Sequence, residues 1–152
     1  MQVESPSEDT IGGWMQLRTE LWPHIDGGRN EAEARQLLRD MPHAAAVFVM
    51  RNNSGEAIGF AEACLRHDYV NGCVTSPVAF LEGIYVKPAF RRQGVARRLC
   101  AAIEAWAAAR GCTEFASDAA IGNRISQRMH GALGFTETAR VVYYRKPLSS
   151  DE

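Results

Sequence analysis

Residues 80–99 constrain the fold more than any other part of this 152-residue chain. Residues 80–86 are an apolar run typical of a buried strand, and Lys87-Pro88 ends it because proline has no N–H to donate to a sheet. Apolar residues then recur at helical spacing, at Val95, Leu99, Ile103 and Trp106. The sequence therefore predicts a strand, a turn and a helix over 94–109 in immediate succession.

The residues between this strand and this helix are suited to binding a phosphate group. Arg91 and Arg92 precede Gly94 and Ala96, whose small size leaves room for an anion to approach the backbone. The first N–H groups of a helix have no partner within it and lie at the positive end of its dipole. The arginines can add charge-assisted hydrogen bonds. A diphosphate is the expected ligand, and a basic helix start exposed to solvent is the simpler alternative.

The chain is nearly neutral as a whole, but its positive charge is concentrated in one segment. The formal net charge is −1, so we expect neither nucleic acid nor a membrane surface as a partner. Residues 87–110 contain six basic residues and one acidic residue, a local charge of +5. The four cysteines lack a Cys-x-x-Cys spacing and a nearby histidine pair, so no metal site is expected. No signal-like N-terminus or membrane-length apolar run is present, and we expect one cytoplasmic domain over 1–152.

Periodicity and turn residues predict the remaining elements. Helices are predicted over 9–21, 30–41 and 123–133, and strands near Val3 and over 45–51, 57–66, 78–86 and 113–117. A final strand pair is predicted across 135–146. Gly111 and Gly134 fall where a helix C-cap favours a left-handed residue.

The loop and its flanking elements resemble the acyl-CoA-binding core of the GCN5-related N-acetyltransferases. The loop of that family reads Arg/Gln-x-x-Gly-x-Gly/Ala, and here it reads Arg91-x-x-Gly94-x-Ala96. The resemblance runs from about Ile11 to Lys146. It implies an α/β acetyltransferase fold, with a central mixed sheet of six to seven strands flanked by about four helices, and acetyl-CoA as co-substrate.

Longer blocks resemble one group of that family, the aminoglycoside 6′-N-acetyltransferases of Gram-negative bacteria, which cause antibiotic resistance. The most specific are Asp68-Tyr69-Val70-Asn71-Gly72 and Phe80-Leu81-Glu82-Gly83. The resemblance implies acetyl transfer to the 6′-amine of an aminoglycoside, and a homodimer. We expect direct attack in a ternary complex, because no cysteine lies in a motif that would activate it. The alternatives are an acetyltransferase of the same fold acting on a polyamine or a protein N-terminus, and a non-catalytic CoA-binding module.

The implied reaction needs a base, donors for an oxyanion and a proton donor for the leaving thiolate. Glu82 is the first candidate for the base, because a carboxylate inside an apolar strand is expected to be desolvated and to have a raised pKa; a structural ion pair is the alternative. Asp118 is implied as an aminoglycoside ligand or as the base in place of Glu82, with a turn or N-cap aspartate as the alternative. His130 stands where many acetyltransferases have a tyrosine that protonates the thiolate, and a packed surface histidine is the alternative.

Acetyl-CoA binding is implied for the strand, the loop and the helix start. The backbone N–H groups of Ile84 and Val86 are expected to bind the pantetheine arm as an added strand, with Asn123 as a further hydrogen-bond partner. The expected acetyl-CoA-binding residues are Ile84, Tyr85, Val86, Arg91, Arg92, Gln93, Gly94, Val95, Ala96, Arg97 and Asn123.

The aminoglycoside site is implied to combine aromatic and acidic residues. Trp22 is expected to stack on a sugar ring, or else to belong to the core, whereas Tyr69 lies in a polar loop where packing explains it less well. The family tends to have Glu-Thr-Glu after Gly-Phe, and here the sequence is Glu137-Thr138-Ala139, so one carboxylate is missing. The expected substrate-binding residues are Trp22, His24, Tyr69, Glu82, Asp118 and Glu137.

Overall fold

A five-stranded mixed sheet forms the centre of the structure, a computed structural model that describes residues 1–149. The strands are β1 (Gln2–Glu4), β2 (Ala45–Arg51), β3 (Ala57–Arg66), β4 (Val78–Val86) and β5 (Phe115–Ser117), hydrogen-bonded in that order. Strands β1 to β4 are antiparallel neighbours, and β5 is parallel to β4. The predicted mixed α/β sheet is confirmed, with five strands in the described residues instead of six to seven.

Helices cover both faces of this sheet. They are α1 (Ile11–Leu21), α2 (Gly27–Asp40), α3 (Val95–Ala109) and α4 (Arg124–Ala132), with short 3-10 turns at Glu8–Thr10 and Pro88–Phe90. The predicted α2 began three residues too late, because the side chain of Asp26 accepts a hydrogen bond from Arg29 N–H at 2.9 Å and caps the helix earlier. Gly111 and Gly134 have φ of +85° and +96°, as predicted for C-caps.

The core lies on both sides of the sheet and fixes the helices that border the site. Trp14 and Leu17 of α1 pack with Phe60 of β3 on one face. Leu99 and Ile103 of α3 are fully buried on the other face. Because each such side chain stabilises the fold by roughly 1.5–3 kcal/mol, the first turns of α3 are held firmly next to the end of β4.

The predicted strand pair across 135–146 is absent, since residues 135–149 form neither helix nor strand. Val142, Tyr143 and Tyr144 are 72%, 86% and 92% exposed. Their strand-like composition led to the prediction, but within residues 1–149 this segment pairs with neither outer strand of the sheet, β1 or β5. The beginning of the segment is anchored, because Thr138 donates a hydrogen bond to Asn71 at 2.8 Å.

Candidate active site

A split between β4 and β5 is the central feature of the site. The two strands pair only from Ala79–Phe115 to Leu81–Ser117, after which β4 continues to Val86 with β3 on one side and no strand on the other. Pairing with β3 decides which N–H groups of β4 are free: Lys87 N–H donates to Ile58, and Val86 lies opposite Gly59. Because antiparallel pairing alternates along a strand, the N–H groups of Ile84 and Val86 point away from β3, toward the open edge.

The start of α3 lies at the far end of this open edge. Gly94 is the N-cap residue with φ of +81°, a left-handed conformation that favours glycine. The guanidinium of Arg91 donates to the carbonyl of Val86 at 2.8 Å and ties the loop to β4. The free N–H groups of the helix start and those of β4 therefore lie on one path that leads from α3 to the split.

Two of the expected acetyl-CoA-binding residues have other roles. The side chain of Val95 is buried in the core, so only its backbone is open to a ligand. The main chain of Tyr85 pairs with Phe60 of β3, and its hydroxyl donates to Glu20 at 3.0 Å. Burial, together with this hydrogen bond to Glu20, raises the pKa of Tyr85. The structure thus does not bring Tyr85 to the open edge.

Helix α4 connects to the same region through two further expected residues. Arg97 of α3 donates to the carbonyl of Ala132 at 2.9 Å. Asn123 is the N-cap of α4, and its side-chain oxygen accepts from the N–H of Ser126 at 3.0 Å. The oxygen of Asn123 therefore already has a structural partner, which leaves its amide nitrogen for a ligand.

A cavity of about 370 Å³ lies between α1, α2 and the middle of β3 and β4. We refer to it as the α1–α2 cavity. Three carboxylates and two guanidinium groups are among its lining residues, which are Arg18, Trp22, Ile25, Arg29, Glu33, Gln36, Leu37, Glu62 and Glu82. Such a lining suits a polar ligand that carries positive charge.

Glu82 reaches this cavity because β4 bulges there. The register steps from Glu62–Gly83 to Ala63–Leu81, so Glu82 is an extra residue without a partner on β3. The expected desolvation is wrong: Glu82 is exposed, and its two oxygens accept from Arg66 at 3.2 and 3.1 Å. Residues 78–81 before it are all buried, whereas the bulge leaves the carboxylate of Glu82 open to a ligand.

Trp22 forms the wall next to Glu82. A Cβ on Gly83 would lie 2.6 Å from two atoms of the Trp22 ring, so the glycine permits this contact. The Arg18 guanidinium lies 4.9 Å from the ring centroid, and Phe60 meets the ring edge-on at 6.1 Å. Trp22 therefore packs against the core and lines the cavity at the same time.

An ionic network beneath the cavity was missed in the sequence. Glu62 is 2% exposed, accepts from Trp14 Nε1 at 2.8 Å and forms an ion pair with Arg18. Arg18 also donates to Asn30 and to Glu33, each at 2.7 Å. Burial raises the pKa of Glu62, and Arg18 opposes that shift. A signal existed, because a glutamate in the apolar run 57–65 needs a buried partner.

Glu82 and Asp118 occupy equivalent positions on the two sides of the split. The last β4–β5 pair is Leu81–Ser117, and each carboxylate is the next residue in its strand direction. Asp118 is exposed. His130 of α4 also reaches this point, since its Nε2 lies 2.7 Å from Ser117 Oγ. The three expected catalytic residues are therefore grouped around the end of the β4–β5 pairing.

The other expected aminoglycoside-binding residues do not line the α1–α2 cavity of a single chain. His24 is exposed just after α1, and Tyr69 is 80% exposed in the loop before β4. Both oxygens of Glu137 accept from Arg140 at 3.0 Å, and this guanidinium lowers the pKa of Glu137. The structure brings together Trp22 and Glu82, but not these three.

The cysteines are free thiols, and burial raises the pKa of all four. The value is about 11 for Cys64 and Cys100. Because the thiolate is the reactive form, none of these side chains is activated as an acyl carrier. Among residues 1–149, no group of His, Cys, Asp and Glu side chains is arranged to hold a metal ion, and no helix is long and apolar enough to cross a membrane.

Comparison with known proteins identifies the class that this fold and site define. The model of the acetyltransferase (GNAT) family matches residues 13–135, and the chain belongs to that family. It is similar to the aminoglycoside N(6′)-acetyltransferase type 1 of Serratia marcescens, with 52% identity over 92% of this chain and 94% of that protein. The enzyme of the same name from Salmonella typhimurium is 47% identical over 96% of this chain and 99% of that protein.

Solved structures similar to this fold include enzymes of the same kind. AAC(6′)-Iy in complex with the bisubstrate analog CoA-S-monomethyl-acetylneamine superimposes with a TM-score of 0.90 at 45% identity, over 97% of this chain and 98% of that one. Apo AAC(6′)-IG from Acinetobacter haemolyticus gives a TM-score of 0.92 at 45% identity, over 98% and 100%. The family resemblance inferred from the sequence blocks is confirmed.

Proposed function

We propose that this chain transfers the acetyl group of acetyl-CoA to the 6′-amine of aminoglycosides, by direct attack in a ternary complex, and thereby causes resistance to these antibiotics. One observation carries the proposal: Glu82 lines the α1–α2 cavity and also directly follows the last β4–β5 pair. An amine bound in the cavity and a thioester bound in the split would therefore meet at Glu82. The names of the relatives support this pair of substrates, and we propose one acetyltransferase domain over 1–152.

Acetyl-CoA fits the path from α3 to the split. The free N–H groups at the start of α3 and the arginines before it would hold the diphosphate. The N–H groups of Ile84 and Val86 would pair with the pantetheine arm, and one of them would also donate to the thioester oxygen as negative charge develops. The arm would thus replace the strand that β4 lacks beyond Leu81.

Glu82 is the proposed base, by virtue of its position and exposure rather than of desolvation. An arriving ammonium competes with Arg66 for its carboxylate. Asp118, on the other side of the split, is proposed to hold a second ammonium of the substrate, and exchange of the two roles is the alternative. Trp22 would contact a sugar ring, and His24, Tyr69 and Glu137 are proposed as outer contacts of the same ligand.

A homodimer in the cytoplasm completes the proposal. The exposed apolar residues 141–144 have no partner in one chain, and a second copy offers them an edge to pair with. Four free thiols agree with a reducing compartment, and cell fractionation would test this location.

A steady-state assay of CoA release tests the substrate assignment. Neomycin and paromomycin are a matched pair, because they differ in carrying an amine or a hydroxyl group at the 6′ position. We expect saturable release with neomycin and a loss of at least about 10²-fold with paromomycin, as for a site that loses its reacting group. Equal rates would contradict 6′ transfer, and turnover of spermidine without turnover of any aminoglycoside would favour a polyamine substrate.

A further inference from the structure

The contacts of the His130 ring determine where its protons lie. Nδ1 is 2.7 Å from the carbonyl oxygen of Ser126 and 3.3 Å from the hydroxyl of the same residue. A carbonyl oxygen only accepts, so Nδ1 carries a proton. Nε2 is 2.7 Å from Ser117 Oγ, and Phe135 packs edge-on against the ring at 5.2 Å. The three contacting residues, from β5, α4 and the segment after α4, are uncharged, and Asp118 follows Ser117 in the chain.

A second contact of Ser117 decides the state of Nε2. The Ser117 hydroxyl donates to the carbonyl of Leu81 at 3.2 Å. Because a hydroxyl has one proton, Ser117 then accepts from His130, and Nε2 also carries a proton. All of these contacts are satisfied together only when His130 is an imidazolium. If the ring were neutral with its proton on Nδ1, the Ser117 hydroxyl would donate to Nε2 instead. The carbonyl oxygen of Leu81 would then lose its hydrogen bond from Ser117.

This proton chain ends where the thioester is expected. Leu81–Ser117 is the last pair before the split, and β5 closes the open edge of β4 at that point. A pantetheine arm that follows β4 from α3 past Val86 and Ile84 would have to stop there, which would place its sulfur beside the Ser117 hydroxyl. This step rests on the proposed function, because it assumes acetyl-CoA in the split.

We propose that Ser117 protonates the departing thiolate and that His130 acts through Ser117. As the C–S bond breaks, its electron pair goes to sulfur, which takes the hydroxyl proton of Ser117, while the serine oxygen takes the Nε2 proton of His130. The products are the CoA thiol, an unchanged serine and a neutral His130 protonated on Nδ1. Solvent water then returns a proton to Nε2. Ser117 is the catalytic residue in this step, and His130 is a positioning residue that supplies its proton.

Four variants of the full chain test this relay, with acetyl-CoA and neomycin as substrates. Ser117→Ala should lower kcat by about 10²-fold, the usual contribution of general acid catalysis, with both KM values unchanged. Ser117→Thr keeps the hydroxyl and should restore kcat to within about fivefold of the wild type. His130→Gln can still donate a hydrogen bond to Ser117 but cannot transfer its proton, so kcat should fall about as far as in Ser117→Ala. The fourth variant combines Ser117→Ala with His130→Gln. Because the effects of substituting residues that act as a unit do not add, this double variant should be no slower than the slower of the two single variants.

The matched control is Ser54→Ala, which removes a hydroxyl that donates to Asn52 at 2.8 Å in the β2–β3 turn and should leave kcat unchanged. The relay is overturned if Ser117→Ala keeps its kcat, or if the losses of the two single variants multiply in the double variant. Retained kcat in Ser117→Ala together with a loss in His130→Gln would assign direct protonation to His130 instead. If the wild-type chain acetylates another amine but no aminoglycoside, the proposed substrate is wrong and the same variants test the relay with that amine.

A second readout needs no substrate. The ¹⁵N shifts of the His130 ring in the free enzyme report which nitrogen keeps its proton when the ring is neutral. We expect the Nδ1–H tautomer, because the Ser126 carbonyl holds that proton. An Nε2–H tautomer would overturn the proton assignment.

Discussion

Glu62 and Glu82 lie on neighbouring strands and line the same cavity, but their environments are opposite. Glu62 is buried and bound by Arg18 and Trp14, whereas Glu82 is exposed and paired only with Arg66 among the described side chains. The buried carboxylate therefore serves the structure beneath the cavity, and the exposed one is available to a substrate. The one-residue bulge in β4 accounts for the exposure of Glu82.

The two carboxylates at the split should respond differently to neutralisation. Glu82→Gln keeps the shape but removes the base, so kcat/KM should fall by roughly 10²-fold or more. Asp118→Asn should act mainly on the KM for the aminoglycoside, since one charge-assisted hydrogen bond contributes about 1.5–3 kcal/mol. Steady-state kinetics separate these effects, with Glu104→Gln on the exposed face of α3 as the control. A collapse of kcat in Asp118→Asn with an intact Glu82→Gln would exchange the two roles.

Removing Arg18 should destabilise the protein strongly. Arg18→Met leaves the Glu62 carboxylate buried without its cation, which typically costs about 3–5 kcal/mol. Replacing both residues, as Arg18→Met with Glu62→Leu, should recover much of this loss, because the uncompensated charge is then gone. Urea unfolding of the two variants and of Glu62→Leu alone completes the cycle. A double variant no more stable than Arg18→Met would contradict a cost that arises from the buried charge.

At the scale of elements, the bulged middle of β4 and the end of α1 shape the cavity together. Trp22 lies on the space that Gly83 leaves open, and its ring is held on its other sides by Arg18 and Phe60. The ring therefore cannot move aside without breaking contacts. The position of this cavity wall therefore depends on Gly83 having no Cβ.

Adding one methyl group at Gly83 should displace this wall. The new Cβ in Gly83→Ala would lie 2.6 Å from the Trp22 ring, and overpacking of this kind costs typically about 1–3 kcal/mol. We also expect a higher KM for the aminoglycoside, with little change in the KM for acetyl-CoA. Gly12→Ala is the matched control: Gly12 is an exposed position of α1 with nothing within 4 Å of its added Cβ, so this substitution should stabilise the protein by about 0.5–1 kcal/mol. Equal effects of both substitutions on KM would contradict this role of Gly83.

At the scale of the whole molecule, the segment after α4 is the part that packs least against the rest of the chain among residues 1–149. Its apolar residues at 141–144 are exposed, although Thr138 holds the start of the segment against Asn71. Exposed strand-like residues without a partner favour association through an edge. In the proposed dimer, this segment pairs with an edge strand of a second copy of the chain.

Charges on this segment should dissociate the dimer. Val142→Lys with Tyr144→Lys adds two charges to one side of the segment and should convert the dimer to a monomer in light scattering at micromolar concentration, because lysines on an edge oppose strand pairing. Val74→Lys changes an equally exposed apolar residue in the loop before β4 and should leave the dimer intact. A monomeric wild-type chain would contradict the proposal.

Much of this architecture follows from local patterns in the sequence. The apolar runs of β2 and β3, the helical spacing in α1 and α3, and the glycines at the helix ends are each determined within a few residues, and they were predicted nearly at their observed bounds. The loop from Arg91 to Ala96 was likewise recognisable, because its short pattern belongs to one strand–loop–helix unit. These features depend on backbone propensity and on the local pattern of apolar residues.

Tertiary structure alone decided which polar groups meet. The bulge that exposes Glu82 depends on the register between β3 and β4, and the burial of Glu62 depends on Arg18, 44 residues away in the chain. The contact between His130 and Ser117 requires α4 to lie across the end of β5. In each case the interaction joins groups that only folding brings together, so the spacing and composition of the sequence do not identify the partner.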